Sequence, residues 1–198
     1  MTGFIPLFSF LIILILIIGN TIVLRKSNIR ISSGTGRPSF STFVLYLVFL
    51  LILLLYIFEL SQAAFQFTFS VLPTQFTIRF FSSILLEILG IGLQLFSLIF
   101  LFFTLRHFGK SLRFGMNTEN RGELITNGVF SISRNPFFTA LLLHFIGSTL
   151  LIPSPFFIGF TLAAIIGIHL FIFKEEKFML ENYGEEYKKY RKKVRRYF

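Results

Sequence analysis

Four polar residues with the chemistry to bind a charged ligand lie on either side of an apolar hairpin, which is broken at Pro153-Ser154-Pro155. Arg134 and Asn135 come just before the first apolar segment, and Glu175-Glu176 follow the second. The carboxylates suit an ammonium or sulfonium group, whereas the guanidinium of Arg134 could bind a carboxylate or phosphate through two hydrogen bonds. The same residues admit a plainer interpretation, in which Arg134 anchors the chain at a membrane surface and the glutamates pair with the lysines beside them.

The composition of the 198-residue chain indicates an integral membrane protein. Hydrophobic residues make up 54% of it and aromatic residues 18%, and the mean hydropathy of +0.77 is too high for a water-soluble globule. The absence of cysteine excludes disulfides, iron–sulfur clusters and thiolate catalysis. His107, His144 and His169 are scattered without the spacing of metal ligands, so we expect no metal site.

The apolar segments predict an all-α integral membrane protein with about five transmembrane helices, because about 20 apolar residues cross a hydrocarbon core of roughly 30 Å. The predicted spans are residues 4–24, about 41–60, about 80–105, 137–152 and 156–173. The last two should pair as a helical hairpin. Residues 174–198 are charged, with tyrosines at helical spacing, which predicts a C-terminal amphipathic helix in the membrane interface. We expect 1–198 to form one membrane domain, with three N-terminal spans in 1–105.

The positive charges predict the orientation of the spans. Of the 19 lysines and arginines, four lie in 25–37, five in 106–134 and nine in 174–196, and Arg79 alone lies by a loop on the other side. The positive-inside rule therefore places the N-terminus outside and the C-terminus in the cytoplasm, in what we expect to be a bacterial or archaeal inner or plasma membrane. Attraction to anionic lipid accounts for the net charge of +10, so nucleic acid is not the expected partner.

Gly90-Ile91-Gly92 lies inside the third predicted span. Small residues let another helix or a ligand approach closely, and in membranes they are common at helix contacts. We therefore predict that this stretch packs against another helix.

Four short motifs resemble the isoprenylcysteine carboxyl methyltransferase and phospholipid methyltransferase superfamily. They occur in the order of that superfamily, with the apolar hairpin between the second and the third, and the resemblance covers about 122–194. In this sequence the motifs read Leu124-Ile125-Thr126-x-Gly128-Val129-Phe130, Arg134-Asn135-Pro136-x-Phe138, Glu175-Glu176, and Tyr183-Gly184-Glu185-Glu186-Tyr187-x-x-Tyr190.

The resemblance implies a membrane methyltransferase that uses S-adenosyl-L-methionine, with residues 106–198 as its cofactor-binding region. The methyl acceptor would be lipid-like or prenylcysteine-like and would enter laterally between helices at the cytoplasmic face. Arg134 and Asn135 would be the catalytic residues. Glu176, eight residues before Gly184, would hold the amino group of the cofactor. The whole implied cofactor pocket consists of Glu123, Leu124, Ile125, Gly128, Phe130, Asn135, Pro136, Phe137, Phe138, Glu175 and Glu176.

Three positions depart from the pattern of the superfamily. Asn135 replaces the usual histidine, and Phe130 and Phe138 replace tyrosines, so imidazole and hydroxyl contacts are lost. In addition, Ile172 stands where prenylcysteine enzymes often carry an arginine one turn before the glutamates, which weakens the case for a prenylcysteine carboxylate as acceptor.

Two functions of other classes remain open from the sequence. One is an NADPH-dependent membrane reductase of the sterol type, whose C-terminal part resembles this superfamily. The other is a non-enzymatic membrane protein that retains the fold, which the three departures favour.

Overall fold

The computed structural model of the protein describes residues 3–26, 40–108 and 124–198. In these ranges the chain is helical and contains no strand, which confirms the predicted all-α class. The helices are α1 (Phe4–Lys26), α2 (Phe40–Phe65), a single turn α3 (Thr74–Thr77), α4 (Ile84–Phe108), α5 (Pro136–Leu151) and α6 (Pro155–Lys193), with a 3-10 turn at Gly128–Ser131 before α5.

Each of the five predicted apolar segments is helical over most of its length, although α4 begins at Ile84 and not near residue 80. Four stretches are long and apolar enough to cross a membrane: Phe4–Lys26, Tyr46–Phe65, Ile84–Phe108 and Pro155–Lys193. The fifth, Pro136–Leu151, is a shorter apolar helix of 16 residues. Length and composition thus agree with an integral membrane protein.

A proline begins each of the two helices of the predicted hairpin. Pro136 and Pro155 each stand in the first turn of a helix, where the missing N–H costs no hydrogen bond. Ser154 caps α6, because its side chain accepts a hydrogen bond from the N–H of Phe157. Threonines join the two arms, with Oγ1 of Thr149 lying 2.8 Å from Oγ1 of Thr161. The hairpin at Pro153-Ser154-Pro155 is confirmed.

Helix α5 packs closely on α4 because two glycines face each other. A Cβ built on Gly90 would lie 2.8 Å from Cγ of Leu151 and 3.1 Å from the carbonyl oxygen of Gly147. Gly92, by contrast, faces open space. The predicted packing role is therefore carried by Gly90.

A buried polar network joins the helices near this contact. Nδ1 of His144 lies 2.7 Å from Oε1 of Gln94 on α4, and Nε2 lies 3.2 Å from the hydroxyl of Tyr56 on α2. Tyr56 in turn donates to Oγ of Ser148 at 3.0 Å, and Ser9 of α1 lies 3.3 Å from the same imidazole. Polar groups inside a membrane bundle are costly unless paired, so this network specifies which helix faces meet.

Helix α6 continues well beyond its apolar part, which ends at Phe173. The charged residues that follow are helical, as predicted, up to Lys193. The charged part bends at Gly184, whose φ of +51° is a left-handed conformation that glycine adopts without strain. The remaining residues, 194–198, are not helical and turn back toward the loop before α5.

Candidate active site at the end of the apolar hairpin

The 3-10 turn before α5 is fixed to two helices. Gly128 has a φ of +59°, and a Cβ at this position would collide with the imidazole of His107 near the end of α4. Phe130 is buried against the last phenylalanine of α4 in an edge-to-face contact, with ring centroids 4.9 Å apart. Its carbonyl oxygen accepts a 2.6 Å hydrogen bond from the hydroxyl of Tyr190 on α6. The turn thus has little freedom to move.

Arg134 follows this turn and joins it to α6. Its side chain is 8% exposed, and its guanidinium donates to Oε1 of Glu176 from Nη2 at 2.7 Å and from Nε at 3.2 Å. The remaining nitrogen, Nη1, donates to the carbonyl oxygens of Val194 at 2.6 Å and Arg191 at 3.1 Å. All three nitrogens of the guanidinium are therefore engaged.

Glu176 receives a second guanidinium from Arg196. Nε of Arg196 donates to Oε1 at 3.1 Å and Nη2 donates to Oε2 at 2.8 Å. The Glu176 side chain is 6% exposed and that of Arg196 is 21% exposed. The guanidinium carbon of Arg196 also lies 4.2 Å from the ring centroid of Phe173, a cation–π contact. One carboxylate is thus paired with two guanidinium groups, so the cluster of Arg134, Glu176 and Arg196 has a net positive charge.

The 194–198 segment is held on the 133–135 loop by main-chain groups. The N–H of Arg134 donates to the carbonyl oxygen of Arg195 at 3.0 Å. The carbonyl oxygen of Arg196 accepts from Oγ of Ser133 at 3.2 Å and from Nδ2 of Asn135 at 3.3 Å. Asn135 replaces the histidine of the superfamily, and its side-chain nitrogen is therefore hydrogen-bonded to this segment.

Two aromatic residues complete the docking of that segment. The hydroxyl of Tyr197 lies 2.8 Å from Nδ1 of His169 on α6. The ring of Phe198 lies 5.5 Å from that of Phe100 on α4. The 194–198 segment therefore closes the site between α4 and α6.

Glu175 and Glu176 lie beyond the apolar part of α6, and their pKa values are shifted in opposite directions. Burial alone would raise the pKa of Glu176, but its hydrogen bonds and charge interactions with Arg196 and Arg134 outweigh burial and hold that pKa below its usual value. Burial raises the pKa of Glu175 to about 7, and the negative charge of Glu176 adds to the increase. Glu176 is therefore a fixed anion, whereas Glu175 titrates near neutral pH.

The other predicted pocket residues fall into two groups. Leu124 packs on a cluster formed by Tyr187, Tyr190 and Val194 at the end of α6. The rest surround the first turn of α5 or the helix core: Ile125, Phe130 and Phe137 pack with buried residues of α1 and α4, Pro136 begins α5, and the ring of Phe138 lies 5.3 Å from that of Phe171 on α6. Glu123 lies outside the described residues.

Arg134, Asn135 and Glu176 therefore come together, as their place beside the same hairpin suggested, but the partners of Glu176 differ from the plainer interpretation. They are two arginines distant in sequence, not the neighbouring lysines. The sequence does not indicate Arg196 as a site residue, because Arg196 is one of many basic residues after Phe173. Only the return of the 194–198 segment, which no sequence pattern signals, brings it to Glu176.

Within the described ranges, no three His, Asp or Glu side chains are grouped as a metal ion would require.

Comparison with known proteins gives one family. The profile of the phospholipid methyltransferase family matches residues 78–186, which is more than half of the chain. The chain therefore belongs to the phospholipid methyltransferase family, whose members are membrane methyltransferases. The match includes α4, the 3-10 turn, α5 and most of α6, and it ends before Arg196. No curated protein and no solved structure matches the chain.

Proposed function

We propose that this protein transfers a methyl group from S-adenosyl-L-methionine to a lipid-like or prenylcysteine-like acceptor at the cytoplasmic face of the membrane. The observation that carries the proposal is the buried pair between Arg134 and Glu176, which joins the loop before α5 to α6 at one end of the apolar hairpin. In a chain of this family, a polar cluster at the end of lipid-facing helices suits a polar methyl donor and an apolar acceptor.

We expect the residues around this cluster to bind such a methyl donor through their charge and their apolar surface. Glu176 and Glu175 would face its ammonium and sulfonium groups, since a carboxylate binds both. Phe138 and Leu124 would supply apolar surface, and Pro136 stands in the first turn of α5. When bound, the donor supplies an electrophilic methyl group. This chain would align the acceptor with that methyl group and exclude water. Such positioning supplies a large share of the rate enhancement of a group transfer.

Glu175 would also serve an amine acceptor. A carboxylate acceptor needs no base, whereas a protonated amine must first lose its proton. Glu175 has a pKa of about 7 and can take such a proton near neutral pH. The acceptor is otherwise constrained only by the apolar surroundings of the hairpin.

A second candidate is a membrane protein that keeps the fold without turnover. It is favoured by the contacts of Glu176 and Asn135, because both oxygens of Glu176 and the side-chain nitrogen of Asn135 are hydrogen-bonded to protein groups. This candidate predicts no methyl transfer to any acceptor.

Binding and turnover of the purified protein test the proposal together. S-adenosylhomocysteine and NADPH are titrated in parallel, and transfer of labelled methyl from the donor into total membrane lipids is then measured. We expect S-adenosylhomocysteine to bind, NADPH not to bind, and label to enter a lipid-like acceptor. Glu176→Gln should lower the affinity about ten- to a hundredfold, because a charged hydrogen bond is worth roughly 1.5–3 kcal/mol.

Glu181→Gln is the matched control, since Glu181 lies on the exposed side of the same helix. Its affinity for S-adenosylhomocysteine should equal that of the wild type. Because we expect Glu176→Gln to weaken the fold as well, Glu175→Gln is measured beside it and should lower the affinity too. Equal affinities in all variants would remove the glutamates from the site, and binding of NADPH alone would replace the proposal by the reductase.

A further inference from the structure

Arg196 differs from Arg134 in how firmly it is held, although both bind Glu176. The guanidinium of Arg134 also donates to the carbonyl oxygens of Arg191 in α6 and of Val194 just after it, and Arg134 follows a turn fixed on two helices. The guanidinium of Arg196 has Glu176 and the face of the Phe173 ring as its partners. Its side chain is 21% exposed, against 8% for Arg134, and it lies beyond the end of α6. Arg196 is thus the partner that can leave.

The two oxygens of Glu176 have different sets of arginine partners. Oε1 accepts from both, whereas Oε2 accepts from Nη2 of Arg196 at 2.8 Å. If the Arg196 side chain turns outward, Arg134 still orients the carboxylate through Oε1. Oε2 is then left as an acceptor in a buried position, where an unpaired anion is costly. That oxygen requires a replacement cation.

We propose that Arg196 is an internal placeholder for the cationic group of the ligand. Its guanidinium occupies the side of Glu176 that an organic ammonium takes on binding, and the ligand must displace it. This inference rests on the proposed function, in which that ammonium is the amino group of the methyl donor. Main-chain hydrogen bonds between the 194–198 segment and the 133–135 loop can persist during the exchange, because they do not involve the Arg196 side chain.

The exchange gives the two partners of one ion pair opposite effects on binding. Removal of the Glu176 charge takes away the ligand's anion and should weaken binding. Removal of the Arg196 charge takes away a competitor and should strengthen it. A role of the pair in folding alone would move both variants in the same direction. The expected gain is about three- to tenfold in affinity, since a partly exposed ion pair is weak and the apparent affinity scales with the fraction of uncovered sites.

The test measures the dissociation constant of S-adenosylhomocysteine for the purified full-length protein in detergent. The wild type is compared with Arg196→Gln and with Arg195→Gln, which removes the same charge from an exposed side chain next to it. We expect Arg196→Gln to bind about three- to tenfold more tightly and Arg195→Gln to bind like the wild type. Arg196→Lys retains the charge without the two-nitrogen contact and should fall between them.

Weaker or equal binding by folded Arg196→Gln overturns the placeholder, and so does an equal gain in Arg195→Gln, which would show a general charge effect. Each protein is first shown to be folded at the assay temperature by its thermal unfolding curve. If Arg196→Gln does not fold, Arg196→Lys decides, and a dissociation constant equal to or above that of the wild type rejects the inference. Binding of S-adenosylhomocysteine by none of the variants, including the wild type, would instead overturn the proposed function.

Discussion

The Glu176 carboxylate, which we propose binds a ligand, also joins three parts of the chain through the same oxygen atoms. Its partners come from the loop before α5 and from the segment after α6. A glutamate that only faced a ligand pocket would be dispensable for folding. In this protein the removal of its charge leaves two guanidinium groups without their anion, one of them buried.

The first prediction at this scale is that Glu176→Gln lowers the free energy of unfolding by about 2–4 kcal/mol. The loss of one partner from a buried pair costs about 3–5 kcal/mol, and the partial exposure of Arg196 reduces that figure. Thermal unfolding in detergent, without ligand, measures it. Glu181→Gln should leave the midpoint unchanged, and an equally stable Glu176→Gln would mean that the pair contributes nothing to the fold.

The same pair makes stability depend on pH with a defined sign. The pKa of Glu176 is lower in the folded protein than its ordinary value of 4.5, so the folded state binds the proton less readily than the unfolded state. Its contribution is therefore fully present above about pH 4.5 and is lost as the pH falls through the folded pKa. The difference in stability between wild type and Glu176→Gln should shrink in that acidic window.

The sequence could predict that Arg134 and Glu176 lie at the same end of the hairpin, but it could not predict their other contacts. Arg134 and Glu176 stand out because they are charged residues directly beside the ends of apolar segments. Arg196 is one of nine basic residues in 174–196, and its type and spacing do not distinguish it. Its role depends on a long-range contact, which local patterns do not encode.

At the scale of elements, prolines and apolar runs predicted most helix ends. Pro136 and Pro155 begin helices as proline does in a first turn, and most of each of the five apolar runs is helical. The continuation of α6 into the charged residues without interruption at Phe173 could not be read from hydropathy, which reports burial in lipid and not the end of a helix. The bend at Gly184 likewise depends on a backbone conformation that glycine permits but does not require.

The contact between α4 and α5 gives a prediction at this scale. Gly90→Ala should lower the midpoint of thermal unfolding, because the new methyl group would lie within 2.8 Å of Cγ of Leu151 and 3.1 Å of the carbonyl oxygen of Gly147. Overpacking of a tight contact typically costs about 1–3 kcal/mol. The measurement is thermal unfolding in the same detergent for all variants.

Gly92→Ala is the control for Gly90→Ala, since it places the same methyl group on the same helix in open space. It should be neutral or slightly stabilising, because alanine restricts the unfolded chain more than glycine does. If both variants lose the same stability, the loss comes from the helix backbone and not from the α4–α5 contact.

At the scale of the whole molecule, the bundle has two distinguishable ends. At one end Gly3 lies against the main chain of Ala63, and the N–H of Phe80 donates to the carbonyl oxygen of Pro153. At the other end Leu24 packs with Leu105 of α4 and with the 3-10 turn before the site. The candidate site and the basic end of α1 therefore share one end of the bundle, as the charge distribution along the sequence implied.

The last prediction assigns these ends to the two sides of the membrane. Lys and Arg flank the end that carries the site, whereas Arg79 is the basic residue of the connection between α2 and α4. Because basic loops are retained in the cytoplasm, reporters inserted after residue 35, after residue 120 and after residue 198 should report the cytoplasm, and one near Pro73 should report the opposite side. An insertion near Pro73 that behaves like the other three would place both ends on one side, which the antiparallel helices forbid. A non-cytoplasmic reporter after residue 198 would put Arg134, Glu176 and Arg196 on the side without S-adenosyl-L-methionine, and the proposed methyl transfer would then have no donor.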